Sequence, residues 1–303
     1  MRTSISITVL FFSQQVFAQD MPLTQVLIEK EPWQLVGEGF RFVEGPASDK
    51  QGNIYFSDVP DSKIYKTTPQ GSLSLFARDT AETTGLMFGK DGKLYGCRHK
   101  ERSIVAYNLD GTFQAVAGNV TAHDLVVTSD GGIYFSDPSH KRIGYLSPQR
   151  SIAVVAKNIH PNGITLWHDG GTLVVTERDH PYLWTFRVEK NGRLSYREKY
   201  YLPLTLTSGS HLPGSDGMTM DRDGRLYVTS TAGLQMFDPT GRQGGVIVKP
   251  QQRHLSDIAF GGPQFNMIYV TCSDKVYRRK VKPQGIPYYG FSEDLCTDSK
   301  QDD

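Results

Sequence analysis

The sequence is poor in cysteine, in long apolar runs and in net charge. Its 303 residues include 3 cysteines, and 33 Lys and Arg nearly balance 32 Asp and Glu, for a formal net charge of +1. Because their number is odd, Cys97, Cys272 and Cys296 leave at least one free thiol or an intermolecular bond. A balanced charge without a basic stripe disfavours a nucleic-acid partner. No apolar run is long enough to cross a bilayer, so we expect no membrane span.

Several common catalytic signatures are missing as well. The sequence has no glycine-rich phosphate loop, no Gly-x-Ser-x-Gly motif and no cysteine pairs at zinc-binding spacing. These absences disfavour nucleotide-binding enzymes, serine hydrolases and structural zinc domains. The pattern gives no indication of an oligomeric state.

The two ends of the chain differ from the rest in composition. Residues 1–18 combine Arg2, an apolar stretch and small residues around Ala18, which is typical of a secretory signal; a buried N-terminal strand is the alternative. We therefore expect export, either secretion or delivery to a periplasm. Residues 284–303 are polar and acidic, which predicts a disordered tail. Between them we predict one domain, residues 19–283.

The rest of the sequence contains a repeat of about forty residues. Its most regular part is a short β-rich segment that follows a turn, usually Asp-Gly. The central residues of this segment are Tyr55, Tyr95, Tyr134, Val174, Tyr227 and Tyr269, which are 40, 39, 40, 53 and 42 residues apart. Such a period with short strands predicts an all-β fold, a six-bladed β-propeller with four strands per blade.

One strand at each end of the repeat array is out of place. The last repeat lacks a fourth strand after Arg279, whereas an unassigned strand from Trp33 to Val36 precedes the first repeat. We predict that this N-terminal strand completes the last blade and closes the ring, because closure removes a reactive sheet edge.

Six polar residues occupy one equivalent position, just before the first strand of each repeat. They are Glu44, Thr84, His123, Asn162, Asp216 and Ser256, and each is followed by Gly or Asp. The first strand of a propeller blade lines the central channel, so we expect these side chains to meet at one mouth of it.

This ring has the chemistry of a metal site. Carboxylate, amide and hydroxyl oxygens suit a hard divalent cation, above all Ca²⁺, with Zn²⁺ and Mg²⁺ as the other candidates. We predict Glu44, Asn162 and Asp216 as the ligands. Each residue alone would be interpreted as a solvated turn residue, but two acids and an amide at equivalent positions favour the metal.

Two ring residues are candidates for proton transfer. Asp216 is predicted as a ligand and general base, although a carboxylate beside a cation is a weak base. His123 is the second candidate, because a neutral imidazole suits proton transfer at neutral pH, and it can also bind zinc; filling the channel is its alternative role. We predict Thr84, His123, Arg98 and Glu177 to contact substrate, with a solvated loop position as the alternative for Arg98 and Glu177.

The motifs around these positions resemble the gluconolactonase and regucalcin (senescence marker protein) family. The resemblance extends from about Val36 to Val281, and its main motifs are Phe42-Val43-Glu44-Gly45-Pro46, His160-Pro161-Asn162-Gly163-Ile164, Ser215-Asp216-Gly217-Met218 and Ile258-Ala259-Phe260-Gly261-Gly262-Pro263. It implies a six-bladed propeller with a divalent metal, usually calcium, held by residues that match Glu44, Asn162 and Asp216. It also implies hydrolysis of sugar lactones, with other lactones or organophosphates as substrates in some relatives.

Two positions depart from that family's pattern. Thr84 and His123 stand where the family usually has Asn, and the family's third-blade Asn helps to bind substrate. The sequence thus predicts an exported metal-dependent hydrolase that opens a sugar lactone or related cyclic ester, a small-molecule substrate. The alternatives are a non-catalytic propeller that binds a sugar or protein, and a phosphotriesterase-like hydrolase.

Overall fold

The computed structural model describes residues 22–286, which form six four-stranded antiparallel sheets. The predicted six-bladed β-propeller is therefore confirmed. Its helical segments in this range are three single 3₁₀ turns, at Leu23–Gln25, Pro138–His140 and Lys190–Gly192. Within residues 22–286, no helix has the length and apolar character that a membrane span requires.

The strands follow one another from the channel outwards in each blade. Blade one contains β2 (Val43–Ser48), β3 (Ile54–Asp58), β4 (Lys63–Thr67) and β5 (Leu73–Arg78). Blade two contains β6 (Thr83–Phe88), β7 (Leu94–Arg98), β8 (Ser103–Tyr107) and β9 (Phe113–Gly118). Blade three contains β10 (Leu125–Val127), β11 (Ile133–Asp137), β12 (Arg142–Leu146) and β13 (Ile152–Lys157).

The second half of the ring repeats this order. Blade four contains β14 (Pro161–Leu166), β15 (Thr172–Glu177), β16 (Leu183–Val188) and β17 (Leu194–Glu198). Blade five contains β18 (Met218–Met220), β19 (Leu226–Ser230), β20 (Gly233–Phe237) and β21 (Gln243–Ile247). Blade six contains β22 (Leu255–Gly261), β23 (Met267–Cys272) and β24 (Lys275–Lys280), with β1 (Gln34–Glu38) as its outer strand.

The N-terminal strand closes the ring as predicted. β1 pairs antiparallel with β24, with Gln34 opposite Arg278 and Leu35 opposite Tyr277. The indole of Trp33, just before β1, donates a hydrogen bond of 2.8 Å to the carbonyl of Val248. The first and last segments of the domain thus hold each other in place.

The second strand of each blade supplies the core. β3, β11 and β19 are buried along their whole length, because neighbouring blades cover both faces. The repeated tyrosine also ties its strand to the preceding turn: Tyr95 donates to Asp91 over 3.0 Å and Tyr227 to Asp221 over 2.8 Å. In these blades the residue that marks the repeat in the sequence is therefore both a core side chain and a turn contact, whereas the hydroxyls of Tyr134 and Tyr269 have no hydrogen-bond partner within residues 22–286.

The predicted tail begins with ordered residues. The carbonyl of Gln284 accepts a hydrogen bond from the Arg222 amide, and the Gly285 amide donates one to Phe265. Residues 287–303, like the predicted signal at residues 1–18, lie outside the described range. Cys97 and Cys272 are buried free thiols, and Cys296 also lies outside that range.

Candidate functional site

All six inner strands begin at the same mouth of the channel. Glu44, Thr84, Asn162 and Ser256 are the second residues of β2, β6, β14 and β22. His123 and Asp216 lie two residues before β10 and β18. The prediction that all six precede their strands thus holds for two residues, whereas four already belong to the strand. The four strands carry an irregularity in pairing next to these residues, a device that redirects side chains.

Glycine lets the blades approach closely at this mouth. Gly45 has a φ of +57°, and a Cβ there would lie 2.3 Å from the Thr84 carbonyl oxygen. A Cβ at Gly163 would lie 2.2 Å from the carbonyl oxygen of Asp216. Both distances are far inside van der Waals contact, so the ring can be this narrow only where the side chain is absent.

Three predicted ligands place oxygen atoms at the narrow mouth. Glu44, Asn162 and Asp216 are exposed by 8%, 5% and 8%. Burial, followed by the charges of Asp216 and Asp124, raises the pKa of Glu44 well above its usual value. The Oδ1 atom of Asn162 is buried and has no hydrogen-bond partner in residues 22–286. Two buried carboxylates and an unpaired amide oxygen are costly in free energy unless a cation compensates them.

The donor set fits a hard cation, although only two of its three donors are carboxylates. Within the described range there is no group of three or more His, Cys, Asp or Glu side chains that could hold a metal ion. The mouth offers two carboxylates, and its third donor is the amide of Asn162, which is not among those residue types. The residues therefore fit an oxygen-preferring divalent ion whose remaining positions are filled by water or substrate.

His123 lies against the same carboxylates. Its Nε2 is 3.9 Å from Oε2 of Glu44, and its buried Nδ1 has no hydrogen-bond partner among residues 22–286. Burial lowers the pKa of His123, and the positive charges of Arg178 and His99 lower it further, while Asp216 acts in the opposite direction. The imidazole is therefore neutral near pH 7, which allows it to accept a proton or to bind a metal.

The two hydroxyl residues of the ring join neighbouring blades. Thr84 donates a short hydrogen bond to the His123 carbonyl, and Ser256 donates one of 2.7 Å to the Val43 carbonyl. Thr176 makes a similar bond of 3.1 Å to the Asp216 carbonyl in the next blade. The hydroxyl of Thr84 is thus already in use, so its predicted substrate contact has no support in the geometry.

Arg98 is directed into its own blade. Its guanidinium binds both carboxylate oxygens of Glu101 at 3.0 Å, donates to the Asp79 carbonyl and lies 4.1 Å from the centre of the Phe113 ring. The side chain is 3% exposed. Arg98 lies at the end of β7, and its burial and these partners give no support to a contact with substrate, which stays a prediction.

Glu177 is also directed away from the mouth. Its carboxylate accepts hydrogen bonds from the indole of Trp184 at 3.0 Å and from the backbone amide of His160 at 3.1 Å. These bonds hold the start of β14 against the end of β15, next to Asn162. These contacts show a supporting role for Glu177 in blade four, and its predicted substrate contact stays a prediction.

Two residues outside the predicted site set, Arg178 and His254, act on the ring. Arg178 follows β15 and is exposed, and its guanidinium makes no hydrogen bond or ion pair within residues 22–286 but acts electrostatically on Glu44 and His123. His254 lies on the connection into blade six, where its Nε2 is 2.9 Å from Oδ2 of Asp216. The strand order of the repeat places Arg178, next to Glu177, at the mouth, whereas it gives no signal for His254, because the connections between blades differ in length and sequence.

Below the mouth, the channel contains two more carboxyl groups. Asp124 and Asp257 line a cavity of about 70 Å³ together with Met87, Phe260 and Ile286. Asp124 accepts hydrogen bonds from the amides of Leu125 and, in the next blade, Ile164, at 2.8 and 3.0 Å. Burial raises the pKa of Asp124 to about 7, and burial together with the charge of Asp124 raises that of Asp257 well above its usual value.

Comparison with known proteins agrees with this arrangement. The family described as the SMP-30/gluconolactonase/LRE-like region matches residues 42–274. A gluconolactonase from Zymomonas mobilis is 26% identical over 314 residues, covering 87% of this chain and 85% of the relative. The lactonase drp35 from Staphylococcus aureus USA300 is 27% identical over 259 residues, covering 78% of this chain and 79% of the relative.

Solved structures show the same fold. A gluconolactonase from Xanthomonas campestris matches with a TM-score of 0.76 and 23% identity, over 86% of this chain and 92% of that one. A protein described as calcium-binding regucalcin, from Agrobacterium tumefaciens C58, matches with a TM-score of 0.71 and 15% identity, over 85% and 98% of the two chains. At these identities the structures establish the architecture alone.

Proposed function

This chain belongs to the SMP-30/gluconolactonase/LRE-like family, and on that premise we propose that it is a metal-dependent hydrolase that opens the ring of a sugar lactone or a related cyclic ester. The curated relatives named gluconolactonase and lactonase support this substrate class. The observations that support the proposal are the unpaired, buried amide oxygen of Asn162 and the mutual repulsion of the buried carboxylates of Glu44 and Asp216, on strands that begin at one mouth of the channel.

Glu44, Asn162 and Asp216 would hold the ion. A bound divalent cation polarises an ester carbonyl and lowers the pKa of a water molecule. Burial of Glu44 and Asn162 keeps their oxygens away from bulk water, so that they are free to bind the ion and to orient the substrate. The all-oxygen set favours Ca²⁺; direct binding by His123 would favour Zn²⁺ instead.

His123 is the better placed of the two predicted bases. Its lowered pKa leaves the imidazole neutral, so that Nε2 can accept the proton of the attacking water. The water oxygen bonds to the lactone carbonyl carbon, the ring C–O bond breaks, and the same proton returns to the leaving ring oxygen to give a hydroxy acid. Asp216 is less suited to this role, because one of its oxygens is held by His254.

Arg178 replaces Arg98 as the cation that we propose to contact the substrate. Its guanidinium is exposed and acts on the ring residues, and it makes no ion pair within the described range. A free guanidinium at the rim of the mouth would bind hydroxyl groups or a carboxylate of a sugar-derived substrate. Comparing the hydrolysis of lactones with and without a carboxylate would show whether Arg178 binds hydroxyl groups or a carboxylate.

The test is hydrolysis of a panel of aldonolactones by the purified protein, with and without a chelator. We expect activity that the chelator abolishes and the ion restores. Glu44→Gln and Asp216→Asn should each lower kcat/KM by more than about 100-fold, since even outer partners of metal ligands contribute 10- to 100-fold. Asp61→Asn, which alters a partly exposed surface carboxylate paired with Lys63, is the matched control and should retain activity.

The same panel decides between the competing functions. Turnover of a phosphotriester but of no lactone would support the phosphotriesterase-like alternative. Tight ligand binding without product would support a non-catalytic propeller. Absence of chelator-sensitive hydrolysis of any ester would reject the proposed enzyme.

We also propose that the protein is exported and works outside the cytoplasm. The support is the signal-like composition of residues 1–18. Expression of the full-length chain, followed by fractionation and determination of the N-terminus, tests this. A cytoplasmic protein that retains residues 1–18 would reject it.

A further inference from the structure

His254 makes the only hydrogen bond that the Asp216 side chain forms within residues 22–286. Its Nε2 lies 2.9 Å from Oδ2 of Asp216. A carboxylate can only accept, so Nε2 carries the proton and donates it. The opposite oxygen, Oδ1, has no partner in the same range. The two oxygens of Asp216 are therefore not equivalent: one is held by the histidine, and the other is available to the ring.

The histidine itself is fixed from two sides. Its ring stacks on that of Phe42, with centroids 6.1 Å apart and an angle of 17° between the planes. The loop before it is anchored to blade six, because the Gln251 amide donates to the Cys272 carbonyl at 2.7 Å and Arg253 pairs with Asp274 at 3.2 Å. An imidazole held in this way has little freedom to rotate away from Asp216.

The main chain of Asp216 is also fixed. Its carbonyl accepts a hydrogen bond of 3.1 Å from Thr176, and its amide donates one of 3.3 Å to the Thr229 carbonyl. The remaining freedom of the residue is rotation of its carboxylate, and this is the freedom that the bond to His254 removes.

We infer that His254 is a positioning residue for the metal site: by holding Oδ2 of Asp216, it directs Oδ1 towards Glu44 and Asn162 and thereby raises the affinity of the mouth for a divalent cation. The inference rests on the proposed function, because it assigns Asp216 as a ligand. Metal ligands commonly depend on such outer hydrogen bonds, and removal of one typically lowers affinity by about 10- to 100-fold.

The position of His254 allows a clean test. Its side chain is 40% exposed, so its removal opens no cavity in the core. His254→Ala removes the donor, whereas His254→Gln supplies a neutral amide donor on a chain of similar reach. His180→Ala is the matched control, because His180 is an exposed histidine that stacks on Tyr182 at 5.0 Å.

The experiment is calorimetric titration of the chelator-treated full chain with CaCl₂, with the melting temperature of each ion-free variant as a second measurement. We expect His254→Ala to raise the dissociation constant for Ca²⁺ by about 10-fold or more. His254→Gln should stay within about 3-fold of the wild type, since it restores the hydrogen bond to Oδ2. His180→Ala should match the wild type, and the ion-free melting temperatures should agree closely.

The possible outcomes separate this inference from the proposed activity. An unchanged dissociation constant in His254→Ala, or a Gln variant as weak as the Ala variant, would overturn the positioning role. A wild type that binds Ca²⁺ with this pattern but hydrolyses no lactone would reject the proposed enzyme and support the role of His254. A wild type that does not bind Ca²⁺ would overturn the inference together with the assignment of the ligands.

Discussion

Thr84 occupies one of the six positions of the functional ring, but the reason for this residue at that position is structural. In blades one, four and five the hydroxyl that reaches into the next blade comes from the end of the second strand, as in Thr176 and Thr229. Blade two has Cys97 at that place, and Thr84 supplies the hydroxyl instead, to the carbonyl of His123. The departure of Thr84 from the family pattern is thereby explained by the contact between blades two and three.

This explanation predicts the effect of Thr84→Val. The substitution keeps the shape and removes one buried hydrogen bond, so we expect a loss of about 1 kcal/mol in the free energy of unfolding. For a chain of this size, the melting temperature should fall by about 2–4 °C. KM and kcat should change less than about 2-fold, because the Gly85 amide still binds the His123 carbonyl.

Calorimetric melting and steady-state kinetics of the same preparation check this prediction. Ser57→Ala, which removes the corresponding hydroxyl between blades one and two, is its control and should behave in the same way. A rise in KM of more than about 10-fold at an unchanged melting temperature would contradict the structural role and restore Thr84 as a substrate contact.

At the scale of strands and loops, the repeat predicts well where a residue lies in the fold, but it predicts poorly the direction in which its side chain points. The turn, the tyrosine and the polar residue recur at a fixed spacing, so the inner strands and the ring could be located from the sequence. The orientation of Arg98 and Glu177 depends on partners such as Glu101 and Trp184, which occur in one blade each. His254 was missed for the same reason, since blade six has Ser256 at the ring position and places its functional side chain two residues earlier.

The closing strand gives a prediction at this scale. Trp33 packs against the core of blades five and six and donates to the Val248 carbonyl at the end of blade five, which anchors the start of β1 between these two blades. Trp33→Ala should therefore destabilise the ring by about 2–4 kcal/mol. This is less than or similar to the destabilisation caused by removing a fully buried aromatic side chain. We expect the melting temperature to fall by at least about 5 °C.

Thermal unfolding followed by circular dichroism tests the closure. Leu109→Ala is the matched control, because Leu109 is 65% exposed and should change the melting temperature by less than about 1 °C. Equal melting temperatures for Trp33→Ala and Leu109→Ala would mean that the N-terminal strand is not needed to hold blade six.

At the scale of the whole molecule, the closed ring concentrates acidic groups along one axis. Glu44 and Asp216 lie at the mouth, and Asp124 and Asp257 lie in the cavity beneath them. The inner strands approach one another closely, and every blade contributes a residue at the same height. The acidic side chains of different blades are therefore forced together in a column. Because the total charge of the chain is near neutral, counting charges in the sequence does not reveal this column of acidic groups.

The acid column makes stability depend on pH in a definite direction. The pKa of Asp124 is about 7 in the folded protein and that of Asp257 is well above its usual value, chiefly because of burial. In the unfolded chain both return to about 3.9. The folded state thus binds more protons between about pH 4 and 7, and stability falls as the pH rises through that window.

Asp257→Asn tests this directly in the ion-free protein. The amide keeps the oxygen that accepts the 2.7 Å hydrogen bond from the Ile258 amide and removes one ionisation. We expect the wild type to melt at a lower temperature at pH 8 than at pH 5, and Asp257→Asn to melt at least about 3 °C above the wild type at pH 8. At pH 4 the two should differ little, because Asp257 is then protonated in the folded wild type. Calorimetric scans in chelator check this, with Asp61→Asn, which alters a partly exposed surface carboxylate, as the control. Parallel pH profiles for wild type and Asp257→Asn would contradict the idea that ionisation inside the channel opposes folding.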